Sequence, residues 1–185
     1  MAVISHEFNV LENQMKPRIL ISRCLTGQRC RYDGDIVTSP VIEKILPFVE
    51  VVTVCPEMDI GMDVPRLPIV IVENETQDRL IQLESGIDLT EKMVTFSKKH
   101  VSELKNIDGI ILKSKSPSCG VGTTKIFAKA GDEVEIYRSS GLYAREILKR
   151  FKDFPITDEQ KLEDSTVFEQ FLENINKNQR SRTQK

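Results

Sequence analysis

The sequence predicts a single α/β domain built on a mostly parallel, Rossmann-like sheet with helices on both faces. Three observations carry this. The chain has 185 residues, enough for one well-packed core and short for two. Three short apolar runs rich in β-branched residues, at 18–22, 49–54 and 108–112, read as buried strands. Helical patterns lie between them, and strands alternating with helices form a parallel sheet covered on both sides.

Taken in order, residues 1–16 read as a flexible N-terminal arm, 17–175 as the single domain and 176–185 as a polar C-terminal tail that frays. After the first strand comes the polar turn Arg23-Cys24-Leu25-Thr26-Gly27. Ser39 is placed to cap a helix with Pro40 at its first position, running to about Leu46. Residues 69–73 and 79–84 read as two strands joined by a polar turn, a hairpin. Asp88 or Thr90 caps a long helix to about Leu104, with Met93, Phe96, His100, Val101 and Leu104 on one face. Ser140-Gly141 opens another helix to about Phe151, with Leu142, Ile147 and Leu148 turned inward. From Asp158 a helical tail follows, its apolar stripe made of Phe168, Phe171 and Leu172.

Composition narrows the function. A formal net charge of −2 argues against a surface built to grip long nucleic acid. No stretch is apolar for long enough to span a bilayer, and the start lacks the pattern of a secretory signal. The expectation is a cytoplasmic protein with a small-molecule partner and no membrane association. There are four cysteines, Cys24, Cys30, Cys55 and Cys119; a reducing compartment would not keep them as disulfides.

Their positions are informative. Cys24 follows the first buried strand, Cys55 the second and Cys119 the third. In a parallel sheet, ligands bind beyond the carboxyl ends of the strands, so all three loops converge on one rim. Three thiolates at one point form a soft-ligand site suited to an iron–sulfur cluster or zinc, one ligand short of closure. Cys30 lies further along the first loop and is a candidate fourth ligand. The plainer reading is that cysteines are small buried residues.

The loops carry further wording. Ser22-Arg23-Cys24-Leu25-Thr26-Gly27 with Arg31-Tyr32-Asp33-Gly34, Val54-Cys55-Pro56-Glu57 with Gly61 and Val64-Pro65-Arg66, Asp88-Leu89-Thr90, the loop from Leu112 to Gly120 reading LKSKSPSCG, and Gly141-Leu142-Tyr143-Ala144 follow one another in this order. Together they resemble the motifs of the DUF523 family, which includes thiouracil desulfurases. The LTG and KSKSPSCG wording is closest to members fused to a second domain, DUF1722; the expectation here is the first domain without that second one. The resemblance implies a [4Fe–4S] cluster held by Cys24, Cys55 and Cys119, with the fourth iron free. It also implies catalytic or substrate-contacting roles for Glu57 and Ser116. It leaves Cys30 outside the ligand set.

On that resemblance the activity is desulfuration. A thiocarbonyl of a thiolated nucleobase, nucleoside or nucleotide, 2-thiouracil-like or 4-thiouridine-like, becomes a carbonyl, with Glu57 as general base for water and sulfide released. The plainer readings are a surface glutamate at Glu57 and a turn-stabilising hydroxyl at Ser116. Arg31, Lys113 and Lys115, with Ser118, are the candidate substrate-binding residues. With Arg66, these cations could bind a phosphate, balance the charge of a thiolate-bound cluster, or simply be solvated. Neither histidine falls in the site loops: His6 is in the arm and His100 on the apolar helix face, which argues against a histidine-based hydrolase. The competing readings are a zinc or iron–sulfur binding protein or sensor without turnover, and a thiol enzyme forming persulfides on Cys119.

Overall fold

A computed structural model of the chain describes residues 15–184. The expected arm therefore lies almost entirely outside the described residues, His6 with it.

Four strands, β1 (Arg18–Ser22), β2 (Glu50–Val54), β5 (Gly109–Leu112) and β8 (Ile156–Asp158), form one sheet in the order β2-β1-β5-β8. Every pair in it is parallel. The side chains of β1 alternate between two cores, as a strand's pleat requires. Ile19 and Ile21 face α1 (Pro40–Ile45) and α5 (Ser165–Thr183), with Ile42, Ile45, Phe171 and Ile175. Leu20 faces α3 (Thr90–Glu103) and α4 (Leu142–Arg150), with Met93, Val101, Tyr143 and Ile147. This is the expected α/β domain, with helices on both faces of a parallel sheet.

A second sheet was not foreseen. β3 (Ile69–Val72) and β4 (Arg79–Gln82) form the expected antiparallel hairpin, but β6 (Thr124–Phe127) pairs in parallel with β3, and β7 (Tyr137–Ser139) antiparallel with β6. Ile69, Ile71, Leu80 and Ile126 bury this sheet against the α3–α4 core. β6, β7 and β8 are three or four residues long, too short to show a period.

The helix starts differ. Asp88 accepts from the Thr90 amide at 2.8 Å in the turn before α3. The capping position there is Leu89, which makes no side-chain cap bond, so neither Asp88 nor Thr90 is the cap. Asp164 accepts from the amides of Thr166 and Val167 and opens α5. Ser39 makes no side-chain cap bond; only its carbonyl accepts, from the Glu43 amide.

Three further expectations are corrected. Leu148 points outward, 37% exposed, while Ala144 and Tyr143 join Leu142 and Ile147 inside. Asp158 ends a strand rather than opening a helix. Residues 176–183 of the expected tail are not frayed: α5 runs to Thr183 with Gln179 buried, and Arg182 grips the buried carboxylate of Asp108 at 2.9 Å. Gly109 lets α5 sit this close, since a Cβ there would fall 2.5 Å from Ile175 Cγ2.

Candidate active site

The strand order fixes where chemistry can occur. The chain steps from β1 outward to β2, then returns across β1 to β5 and β8. The order reverses beside β1, and the loops leaving β1 and β5 flank that switch point, where open α/β sheets bind ligands. Cys55 directly follows β2, Cys24 lies in the 3₁₀ turn Arg23–Thr26 after β1, and Cys119 in the loop after β5. Three neighbouring parallel strands thus deliver three cysteines to one edge.

Hydrogen bonds tie the loops to one another. Asp59, at the end of α2 (Pro56–Asp59), accepts from the Cys55 amide at 3.1 Å and from Arg23 Nη2 at 2.9 Å, joining the first and second loops. Ser22 Oγ accepts from the Lys113 amide at 2.9 Å and hydrogen-bonds the Cys119 thiol, joining the first and third. Glu57, in α2, completes the set: its Oε1 accepts from Ser118 Oγ at 3.0 Å, joining the second and third.

Glu57 is held on both oxygens. Arg66 Nε and Nη2 donate to Oε2 at 3.0 and 2.5 Å, and the Arg66 side chain is only 5% exposed. Arg66 Nη2 also donates to the Cys30 carbonyl at 3.0 Å. A carboxylate fixed in this way at the edge of a thiol cluster has one defined orientation, which proton transfer requires.

The loop carrying Cys119 is shaped from two sides. Ser116 Oγ accepts from the amides of Ser118 and Cys119 at 3.2 and 3.0 Å, the turn-stabilising role, and also hydrogen-bonds the Cys119 thiol. The free amides at the start of α4 then close on the same loop: Leu142 donates to the Pro117 carbonyl, and Tyr143 and Ala144 to that of Ser118. Gly141 permits this approach, because a Cβ there would lie 2.5 Å from the Ser118 carbonyl carbon and oxygen. Lys115 adopts a φ of +59°, a strained conformation of the kind that clusters at sites.

All four cysteines are free thiols. Burial raises the Cys119 thiol well above its usual range, and a hydrogen bond with Cys30, then burial, does the same for Cys55. Cys30 is pushed up to about 11, chiefly by its hydrogen bond with Cys24. A bound metal's charge reverses this, since thiols must lose their protons to ligate. Among the described residues, no three Cys, His, Asp or Glu side chains gather closely enough to hold a single metal ion. A cluster makes a different demand, because each thiolate binds its own iron and the ligands stand further apart. The donor set, soft sulfur from three loops at one rim, is of the kind that holds an iron–sulfur cluster.

A model of the 2-thiouracil desulfurase family matches residues 19–159. The chain belongs to that family. The uncharacterised protein YbbK of Bacillus subtilis (strain 168) is 38% identical over 111 residues, 56% of this chain and 74% of YbbK. The solved structure of TudS, a [4Fe–4S]-dependent thiouracil desulfidase of the DUF523 group, is similar with a TM-score of 0.60 and 26% identity, over 80% of this chain and 93% of that one.

Within this desulfurase-family chain the remaining candidates divide. Ser118 is fully buried and directed at Glu57. Lys113 is engaged with a carboxylate: its ammonium is held at 2.5 Å by Glu159, which also accepts from the Ser114 amide and hydroxyl. Burial pushes Glu159 upward, but these bonds from Lys113 and Ser114 outweigh it and hold the carboxyl below its usual range. Arg31 is paired with Asp33 at 2.5 Å, which draws the Asp33 carboxyl down to about 2. Lys115 is exposed and, among the described residues, makes no ion pair. His100 packs on Phe96 and meets the buried Tyr143 hydroxyl at 3.0 Å, a packing role. Ser22, Asp59, Arg66 as the anchor of Glu57, and Glu159 were missed as site residues. Arg66 stood in the second motif together with Glu57, but no local pattern paired the two.

Proposed function

We propose that this chain is a [4Fe–4S]-dependent desulfidase that replaces the sulfur of a thiolated nucleobase or nucleoside by oxygen and releases sulfide. The observation that carries the reading is the delivery of Cys24, Cys55 and Cys119 from three adjacent parallel strands to one rim, beside the doubly tethered Glu57. Similarity to TudS over most of both chains supports the cofactor and the substrate class.

Cys24, Cys55 and Cys119 would hold the cluster, which supplies an iron atom acting as a Lewis acid on the thiocarbonyl sulfur. Glu57 takes the proton of the water that attacks the thiocarbonyl carbon. Arg66 keeps Oε2 in place during that transfer, and the Ser118 hydroxyl directs Oε1. Ser116 shapes the Cys119 turn through its lone pairs, leaving its hydroxyl proton to donate to Cys119 or to substrate. The carbon gains oxygen and loses sulfur as sulfide, with no change of oxidation state.

The cations favour an uncharged substrate over a nucleotide. Arg31, Arg66 and Lys113 each face a carboxylate, which leaves Lys115 as the single unpaired cation of the group. No described helix is long and apolar enough to cross a membrane, and the free thiols suit a cytoplasmic setting.

The test is anaerobic purification followed by a visible spectrum and assays of iron and acid-labile sulfide, with Cys24, Cys55 and Cys119 each changed to Ala. A brown protein with about four irons per chain, lost in each variant, and sulfide release from 2-thiouracil supports the reading. A colourless, iron-free protein after reconstitution sinks it and moves the assignment to thiol chemistry at Cys119.

A further inference from the structure

Cys30 has no role in the mechanism above, yet its placement is specific. It is 2% exposed, and its thiol lies within hydrogen-bond reach of the Cys24 and Cys55 thiols, two of the three proposed cluster ligands. Its backbone is fixed from three sides. The amide donates to the Gln28 carbonyl at 2.9 Å, and the carbonyl accepts from Arg66 Nη2 at 3.0 Å and from Cys55 Sγ at 3.7 Å. Arg66 is the same residue that orients Glu57, so the fourth thiol and the proposed base are positioned by one guanidinium.

A four-iron cluster on three cysteines has one iron without a protein ligand. A buried thiol standing against two of those cysteines is the protein's nearest spare soft ligand for that iron, and iron in such a cluster prefers a thiolate to water. We propose that Cys30 is an exchangeable fourth ligand, closing the cluster when no substrate is present and giving way to the substrate's sulfur. The inference rests on the cluster reading above. In the exchange, the iron–sulfur bond to Cys30 breaks as the bond to the thiocarbonyl sulfur forms. The departing thiolate takes up a proton, and no electron moves. The function served is protection: an iron with four thiolates resists oxidative loss, and the site opens only when a sulfur ligand competes for it.

The experiment uses the anaerobically reconstituted wild type with Cys30→Ser and Cys30→Ala, each checked by circular dichroism and iron content. The dithionite-reduced proteins are examined by electron paramagnetic resonance with and without cyanide. The oxidised proteins are treated with ferricyanide and their iron is counted. The expected wild type keeps about four irons and a signal unmoved by cyanide. The variants take up the cluster, lose about one iron in four to give a three-iron signal, and shift with cyanide.

A wild type that loses the iron and shifts as readily as the variants overturns the proposal. So do variants that cannot take up a cluster at all, which would make Cys30 an obligatory ligand. A wild type that binds no iron overturns the cluster reading itself, and this proposal with it, and is told apart by the iron assay alone.

Discussion

Changing Gly141 to Ala adds one methyl group at the joint between α4 and the Cys119 loop. Gly141 has φ −64° and ψ 158°, a conformation any residue adopts, so alanine brings no backbone strain. The cost is steric. The new Cβ would lie 2.5 Å from the Ser118 carbonyl carbon and oxygen and 2.7 Å from the Pro117 oxygen, all backbone atoms that cannot rotate away. The loop or the helix must shift, straining the bonds from Leu142, Tyr143 and Ala144 to the loop carbonyls. Overpacking of this kind costs ~1–3 kcal/mol, and a weakened hydrogen bond adds about 1 more, for a net of roughly 3. For a chain of this size that lowers Tm by about 6–12 °C. Because the displaced loop carries Cys119, the reconstituted variant should also hold less iron per chain than wild type.

Gly86→Ala is the control. Gly86 has φ +66° with nothing near its missing Cβ, so alanine there costs about 1–2 kcal/mol of backbone strain in the turn between β4 and α3, outside the cysteine loops. It should lower Tm and leave iron content unchanged. A Gly141→Ala protein with wild-type Tm and iron refutes the steric reasoning. Equal iron loss in both variants would show that iron content follows global stability, not the loop.

Glu57→Gln should lower turnover about 10²–10⁴-fold with iron content unchanged, since a general base contributes on that scale; steady-state sulfide release with parallel iron assays checks it, and matched loss of iron would make the role structural. Ser116→Ala removes the acceptor for two loop amides and should cost about 1 kcal/mol in thermal unfolding. Arg182→Ala strips the main partner from the buried Asp108 carboxylate and should cost about 1–3 kcal/mol by urea unfolding, which a frayed terminus would not. The metal-free protein should lose stability as pH rises from 9 toward 11. The unfolded Cys30 ionises near 9, whereas the folded thiol is held up to about 11, so its contribution is complete below the first value and gone above the second. Urea unfolding across that range should show a smaller loss in Cys30→Ala, with the remainder from Cys55 and Cys119, which shift in the same direction.

Much of the fold was legible because its signals are local. The three core strands are continuous apolar runs, the β3–β4 hairpin announces itself by a polar turn, and α3 carries its apolar face within one window. β6, β7 and β8 escaped because strands this short have no period and form only through partners elsewhere. Leu148 was misplaced because a helix buried at Leu142, Tyr143, Ala144 and Ile147 turns its inner face slightly away from position 148. The length of α5 was missed because its last turns are held by Asp108, 74 residues from Arg182, and no local pattern reports such a pair.

By itself the sequence determined the sheet type and the rim to which the loops of Cys24, Cys55 and Cys119 lead, since hydrophobic pattern and strand-ending position are properties of adjacent residues. Only the tertiary structure decided what each polar side chain at that rim is bonded to. It spent Lys113 on Glu159 and Arg31 on Asp33, set Arg66 and Ser118 on the two oxygens of Glu57, and brought Cys30 against Cys24 and Cys55. The physical reason is the same in each case. A charged or hydrogen-bonding side chain acts through the partner it faces, and that partner is chosen by packing across the whole fold.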